Sequence, residues 1–219
     1  MASSGLELLW VSAPQLATGI GRTLGISALA IMFSSVGGLI YGVLRNLGIR
    51  WLDLILLVYL ELFRAIPVLV WLYLFFFGLP IFFGWSIQGF WCAVLVLSLW
   101  GASEAGEVVR GALRSLPRGQ REAGLAIGLD LPRLYGKVLL PQALRRMTAP
   151  MINVFTRLIK TSSLAVLIGV VDVIKIGQQI IERTYESVLI YGVLFVFFFL
   201  ACYPLSAASR VLERRWNHS

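Results

Sequence analysis

The sequence predicts an all-α polytopic membrane protein, one bundle over residues 1–219 with five transmembrane helices and a short helix between the third and fourth. Three observations carry this reading. The chain is 58% hydrophobic, with a mean hydropathy of +0.84 and only 14% charged residues, against about a quarter in soluble domains. Five apolar runs each exceed the ~20 residues that cross ~30 Å of hydrocarbon at ~1.5 Å per residue. Thirteen of the nineteen Lys and Arg residues gather at 45–50, 110–146 and 210–215, alternate ends of those runs. No linker or internal repeat divides the chain.

The spans are expected at about 15–44, 51–77, 89–113, 147–171 and 188–212. They must be helical, because lipid offers no partner to a free backbone amide. The first is near thirty residues and must tilt or protrude. Gly37, Gly38 and Gly42 in it fit either a close helix seam or the ordinary frequency of glycine in membrane helices. The positive-inside rule places the Arg45–Arg50 turn, the Arg110–Arg146 loop and the C-terminal tail in the cytoplasm. The first fourteen residues and the Leu79–Gln88 turn lack Lys and Arg and are expected outside, so the N-terminus is out and the C-terminus in. Asp172–Glu186 reads as a turn of mixed charge. Trp10, Trp51, Trp85, Trp91 and Trp216 fall near span ends, as interfacial anchors do.

The 114–146 loop has a pattern of its own. Arg118-Gly119-Gln120 opens it. Glu122 to Gly128 reads as a short helix, with Gly128 as C-cap and Pro132 just beyond. Leu125, Ile127 and Leu129 give it apolar surface; Arg121 and Glu122 give it charge. Such a helix fits a groove in a partner. Pro132, Pro141 and Pro150 punctuate the return into the fourth span.

Composition also excludes. The net charge of +8 follows span ends and needs no nucleic acid. Cys92 and Cys202 sit in apolar runs as free thiols. No cleavable signal peptide is expected at the N-terminus. His218, the single histidine, lies in the tail, and no His/Cys cluster offers a metal site. No residue pattern offers a catalytic site, and no G-x-x-x-x-G-K-[ST] phosphate loop is present, so the chain is not expected to hydrolyse ATP.

Within the loop, Glu122-Ala123-Gly124, then Gly128, then Val138-Leu139-Leu140-Pro141 resembles the EAA motif, E-A-A-x3-G-x9-I-x-L-P, of permease subunits of bacterial ABC importers. Gly124 replaces the second Ala and Val138 the Ile. Phe63-Arg64-Ala65-Ile66-Pro67, the Glu107–Gln120 run, Leu140–Arg146 and Ile159–Leu164 are similar to stretches of the polar amino acid uptake subfamily, so the resemblance covers nearly the whole chain. It implies a permease of the bacterial inner membrane that moves a polar or charged amino acid by alternating access. The loop helix would be a cytoplasmic coupling helix, with Gly119, Gln120, Glu122, Ala123, Gly124 and Gly128 at the contact with a dimeric ATP-binding subunit. That subunit, not this chain, would hold ATP and Mg. A second permease, identical or a sister chain, and an extracytoplasmic amino-acid-binding protein would complete the assembly.

Ionisable residues at membrane depth are expensive and mark function by default. Glu61, Glu104 and Arg157 can approach the midplane together, and Glu61 with Arg64, and Arg157 with Lys160, share helix faces. Carboxylates would take the α-ammonium of an amino acid, Arg157 its carboxylate, and Ser162 and Ser163 would add hydroxyls. The competing reading makes Glu61, Arg64, Glu107 and Lys160 structural ion pairs. The charges alone also suit a channel or an ion-coupled secondary carrier for a small polar solute, although that reading leaves the basic loop unexplained.

Overall fold

The computed structural model describes residues 5–216; His218 lies outside them, as do the side chains of Arg215 and Trp216. The α-helices, in chain order, are α1 (Gly5–Asn46), α2 (Arg50–Ala65), α3 (Val68–Tyr73), α4 (Leu79–Phe83), α5 (Gly89–Arg114), α6 (Arg118–Ala126), α7 (Leu131–Leu134), α8 (Leu140–Thr161), α9 (Val173–Thr184) and α10 (Ser187–Trp216). Four continuous helical stretches are long and apolar enough to span a membrane: α1, α5, Leu131–Ile168 and Ser187–Arg214. A fifth span results if α2 and the bent segment after it count as one.

That bend corrects the expectation of one helical span over 51–77. The chain turns by 102° between Arg50–Ala65 and Val68–Phe83. Ile66 is extended (φ −97, ψ 128) because it precedes Pro67, whose ring disfavours the helical region for the residue before it. A π-helical turn, Leu74–Gly78, carries α3 into α4, which stops at Gly84 in the left-handed region (φ 71).

The first span also starts earlier than residue 15. α1 runs 42 residues, ~63 Å at 1.5 Å per residue, about twice the hydrocarbon thickness. Pro14 is held within it.

α1 and α5 form the central seam. A Cβ on Gly38 would meet Ala105 Cβ at 2.5 Å, one on Gly42 would meet Val109 Cβ at 2.6 Å, and one on Gly106 would lie against the Tyr41 ring. Only bare backbone allows this approach, so the seam reading of Gly37, Gly38 and Gly42 is the correct one. Close approach supplies the van der Waals attraction that drives association in lipid, where the hydrophobic effect does not act. Ile26, Ala30, Val96 and Leu97 complete a core shared with Val154 and Leu158 of α8.

The fourth span is part of a longer element. It begins at Leu131, passes through a π-helical turn at Tyr135–Leu139, and closes in a 3-10 turn, Ser162–Ile168, ending at Gly169 (φ 79). Pro150 sits inside α8.

The expected turn over Asp172–Glu186 is instead α9. Asp172 Oδ1 accepts from the Lys175 amide at 2.9 Å and caps the helix. Val173, Ile176, Gly177 and Ile180 are its buried face. The mixed charges lie on the other faces, which is why composition hid the 3.6-residue period. Tyr185, at φ 61, ends it.

Candidate functional site

Two features carry chemistry: the helix in the basic loop and a cluster of charges inside the bundle.

Pro117 precedes α6, where its missing N–H costs nothing. α6 spans Arg118–Ala126, four residues earlier than the expected start at Glu122, and Gly128 (φ 79) makes the exit. The Gly128 amide donates to Leu125 O and the Leu129 amide to Gly124 O, closing the C-terminus. Gly124 is buried, and a Cβ there would lie 2.5 Å from Leu134 Cδ1. The glycine that departs from the EAA pattern spares the Leu134 side chain a shift where α6 meets α7. Glu122, Ala123, Leu125 and Ile127 lie on this short helix and its exit; Ala123 and Ile127 are exposed, Ile127 at 77%. Glu122 makes no hydrogen bond or ion pair among the described residues. Gly119 is exposed, and Gln120 Oε1 accepts from Gln142 Nε2 at 3.0 Å. Arg146 Nη1 donates to Ser115 O at 2.5 Å and to Ser115 Oγ at 3.0 Å. The loop helix is thus tied to α8 through Gln120, and the close of α5 just before it through Ser115.

Inside the bundle, Glu104 of α5 accepts from Arg64 Nε of α2 at 3.3 Å and from Arg157 Nη2 of α8 at 2.5 Å. Its carboxylate is 13% exposed; the two arginines are 43% and 52% exposed. The Arg157 guanidinium also lies 5.9 Å from the Trp100 ring centroid. Glu104 is ten residues from the end of α5, ~15 Å into the bundle. One carboxylate facing two half-exposed guanidiniums leaves a surplus of positive charge.

One turn away, Glu107 accepts from Arg110 (2.8 and 2.6 Å) and from Arg45 Nη1 at 3.0 Å. Arg45 is buried and also donates to Asp53 Oδ1 at 2.7 Å and to the Tyr41 hydroxyl at 3.2 Å. Arg45, grouped in the sequence with the basic Arg45–Arg50 turn, is a buried residue at the end of α1. It is a structural clasp joining α1, α2 and α5, and Asp53, eight residues on, is the partner that the sequence offers for it.

The remaining candidates separate. Glu61 is exposed, one turn from Arg64, with no partner among the described residues. Lys160 lines a groove beside α10 rather than the Glu104 cluster. Ser162 is fully buried, accepting from Ser27 Oγ at 3.1 Å and donating to Ile159 O at 2.8 Å, so its hydroxyl is spent on packing. Ser163 donates to Lys160 O at 2.6 Å.

A helical membrane bundle with ion pairs at mid-depth and a braced, outward-facing helix in its basic loop defines the class of a transport permease. Comparison with known proteins agrees. The family model for the binding-protein-dependent transport system inner membrane component matches residues 34–218, and the chain belongs to that family. It is 36% identical over 208 residues to the glutamine transport system permease protein GlnP of Escherichia coli K12, covering 94% of this chain and 95% of that one. It is 34% identical over 203 residues to the L-cystine transport system permease protein TcyB of Bacillus subtilis, covering 92% and 86%. Among solved structures, an amino acid ABC transporter crystallised with histidines superposes with a TM-score of 0.85 at 26% identity, covering 98% of this chain and all of that one. The MetNI methionine ABC transporter in an inward-facing form gives 0.77 at 25% identity, covering 91% and 95%. The chain is an inner-membrane, multi-pass permease of the ABC importer class for amino acids.

Proposed function

We propose that this chain imports a polar or charged amino acid by alternating access, driven by ATP that a separate subunit hydrolyses. α6 seats in a cleft of one half of a dimeric ATP-binding subunit, with Gly119, Gln120, Glu122 and Ala123 at the interface and Gly124 and Gly128 setting the angle of the helix. ATP and Mg belong to that subunit. The basic ends of the spans lie in the cytoplasm, the N-terminus outside. A second permease, identical or a sister chain, completes the pathway, and an extracytoplasmic binding protein delivers the solute.

The observation that carries the reading is the continuity from α6 to Arg157. Gln142, which holds Gln120 of α6, and Arg146, which holds Ser115 at the close of α5, stand on α8, and so does Arg157, which clasps Glu104. Motion of α6 therefore shifts α8 against α5 and opens or closes the Arg64–Glu104–Arg157 cluster. Opening it frees two guanidiniums for a solute carboxylate, while Glu61 supplies the anion for an α-ammonium. The relatives named for glutamine and cystine transport support a zwitterionic solute.

The test is Glu122→Arg in the reconstituted transporter. Uptake per ATP should fall by roughly tenfold or more, the scale expected when repulsion replaces a charge-assisted hydrogen bond, while the complex still inserts. Normal import by that variant would refute the docking role.

A further inference from the structure

Beyond transport itself, we propose that a recess at the basic end of the bundle binds the phosphate headgroup of an acidic phospholipid. The recess holds about 440 Å³ and lies between the end of α1, the end of α5 and α6. Arg114, Arg118 and Arg121 line it. None of these three guanidiniums makes a hydrogen bond or an ion pair among the described residues. Pro117 and Arg118, the start of α6, also face it, so the positive end of that helix dipole points the same way. Its other wall is apolar, with Leu116 and Leu139. Tyr135 fixes the floor through its hydroxyl, which donates to Asn46 O at 3.2 Å.

The position selects a lipid over a soluble anion. α1 ends at Asn46 and α5 at Arg114, so the recess opens where two spans leave the bilayer, at headgroup level. Basic pockets between membrane helices at that level take acidic headgroups, to which each Lys or Arg near the surface adds attraction. The leucine wall suits the glycerol and first acyl carbons. A protein carboxylate or a free phosphate would gain nothing from it. The ligand would sit directly behind the loop helix and would hold α6 against the ends of α1 and α5.

Native mass spectrometry of the assembled transporter, titrated with phosphatidylglycerol or phosphatidylcholine, tests this. Wild type should retain phosphatidylglycerol in preference. The R114Q/R118Q/R121Q variant should retain it about tenfold less or lower, and R50Q/K137Q/R145Q, which removes as much charge from the same end, should behave as wild type. If the triple variant does not purify as a monodisperse complex, R118Q/R121Q, confined to the loop helix, carries the same comparison. Equal loss in the control triple would overturn the site in favour of diffuse charge. Equal retention by R114Q/R118Q/R121Q would overturn it outright. Displacement of the lipid by glycerol 3-phosphate at equal concentration would overturn the lipid in favour of a soluble anion. Retention by the permease alone but not by the assembled complex would overturn it in favour of the ATP-binding subunit as occupant of the recess.

Discussion

Asp172 shows how one buried atom sets a pH response. Its side chain is fully buried, Oδ1 caps α9, and Oδ2 has no hydrogen-bond partner among the described residues. Burial pushes the carboxyl up from 3.8 to about 6 against the opposing pull of the backbone amides. The folded state therefore holds this proton more tightly than the unfolded chain does. Its contribution is favourable below about pH 4, is lost as pH rises towards 6, and stays lost above. Asp172→Asn keeps a good capping side chain and removes the buried charge. It should stabilise the detergent-solubilised protein at pH 8 by at most ~3 kcal/mol, the equivalent of about two pKa units, read as a higher thermal unfolding temperature, and the gain should vanish near pH 4. Equal stability of the two proteins at pH 8 would mean water reaches Oδ2. At the same scale, Glu104 and Arg157 stand out in the sequence because charge at membrane depth is rare. Their pairing does not, since 53 residues separate them and only the packing of α5 on α8 brings them together.

At the level of elements, the α1–α5 seam offers the sharpest comparison. Gly38→Val forces a Cβ to 2.5 Å of Ala105 Cβ and 2.9 Å of the Gly106 amide nitrogen, atoms of the facing helix that cannot yield locally. It should cost about 1–3 kcal/mol, read as an earlier thermal transition. Gly111→Ala, on the same helix as Ala105 but with nothing within 4 Å of its Cβ, should be neutral or slightly stabilising. The spans are legible in the sequence because long apolar runs have no other solution in lipid. The exit of the loop helix is legible because Gly128 and Pro132 mark it chemically. Its start is harder to read: Pro117 marks it, but the polar Arg118–Arg121 stretch that follows carries no apolar period. α9 is hidden because only twelve residues and mixed charges carry its period. The bend at Ile66–Pro67 is written locally in the proline but outweighed by the unbroken hydrophobicity around it.

Across the whole molecule, a push at the basic end must reach Arg157, about three helical turns along α8 from Arg146. Arg146 is the link whose removal tests this without touching either end. Its guanidinium bridges Ser115, at the close of α5, to α8, and it lies outside both the Glu104 cluster and α6. Arg146→Ala removes a charge-assisted bond worth ~1.5–3 kcal/mol between the close of α5 and α8, so a push on the loop reaches α8 through the Gln120–Gln142 hydrogen bond without this second tie. The reconstituted transporter should then keep hydrolysing ATP while solute imported per ATP falls roughly tenfold, the equivalent of ~1.4 kcal/mol of coupling. The same measurement separates an ion-coupled carrier: for that device, uptake by the permease alone in a salt or proton gradient would proceed, and Arg146→Ala would change it little. Loss of import with hydrolysis intact fits a lever; uptake without the ATP-binding subunit does not.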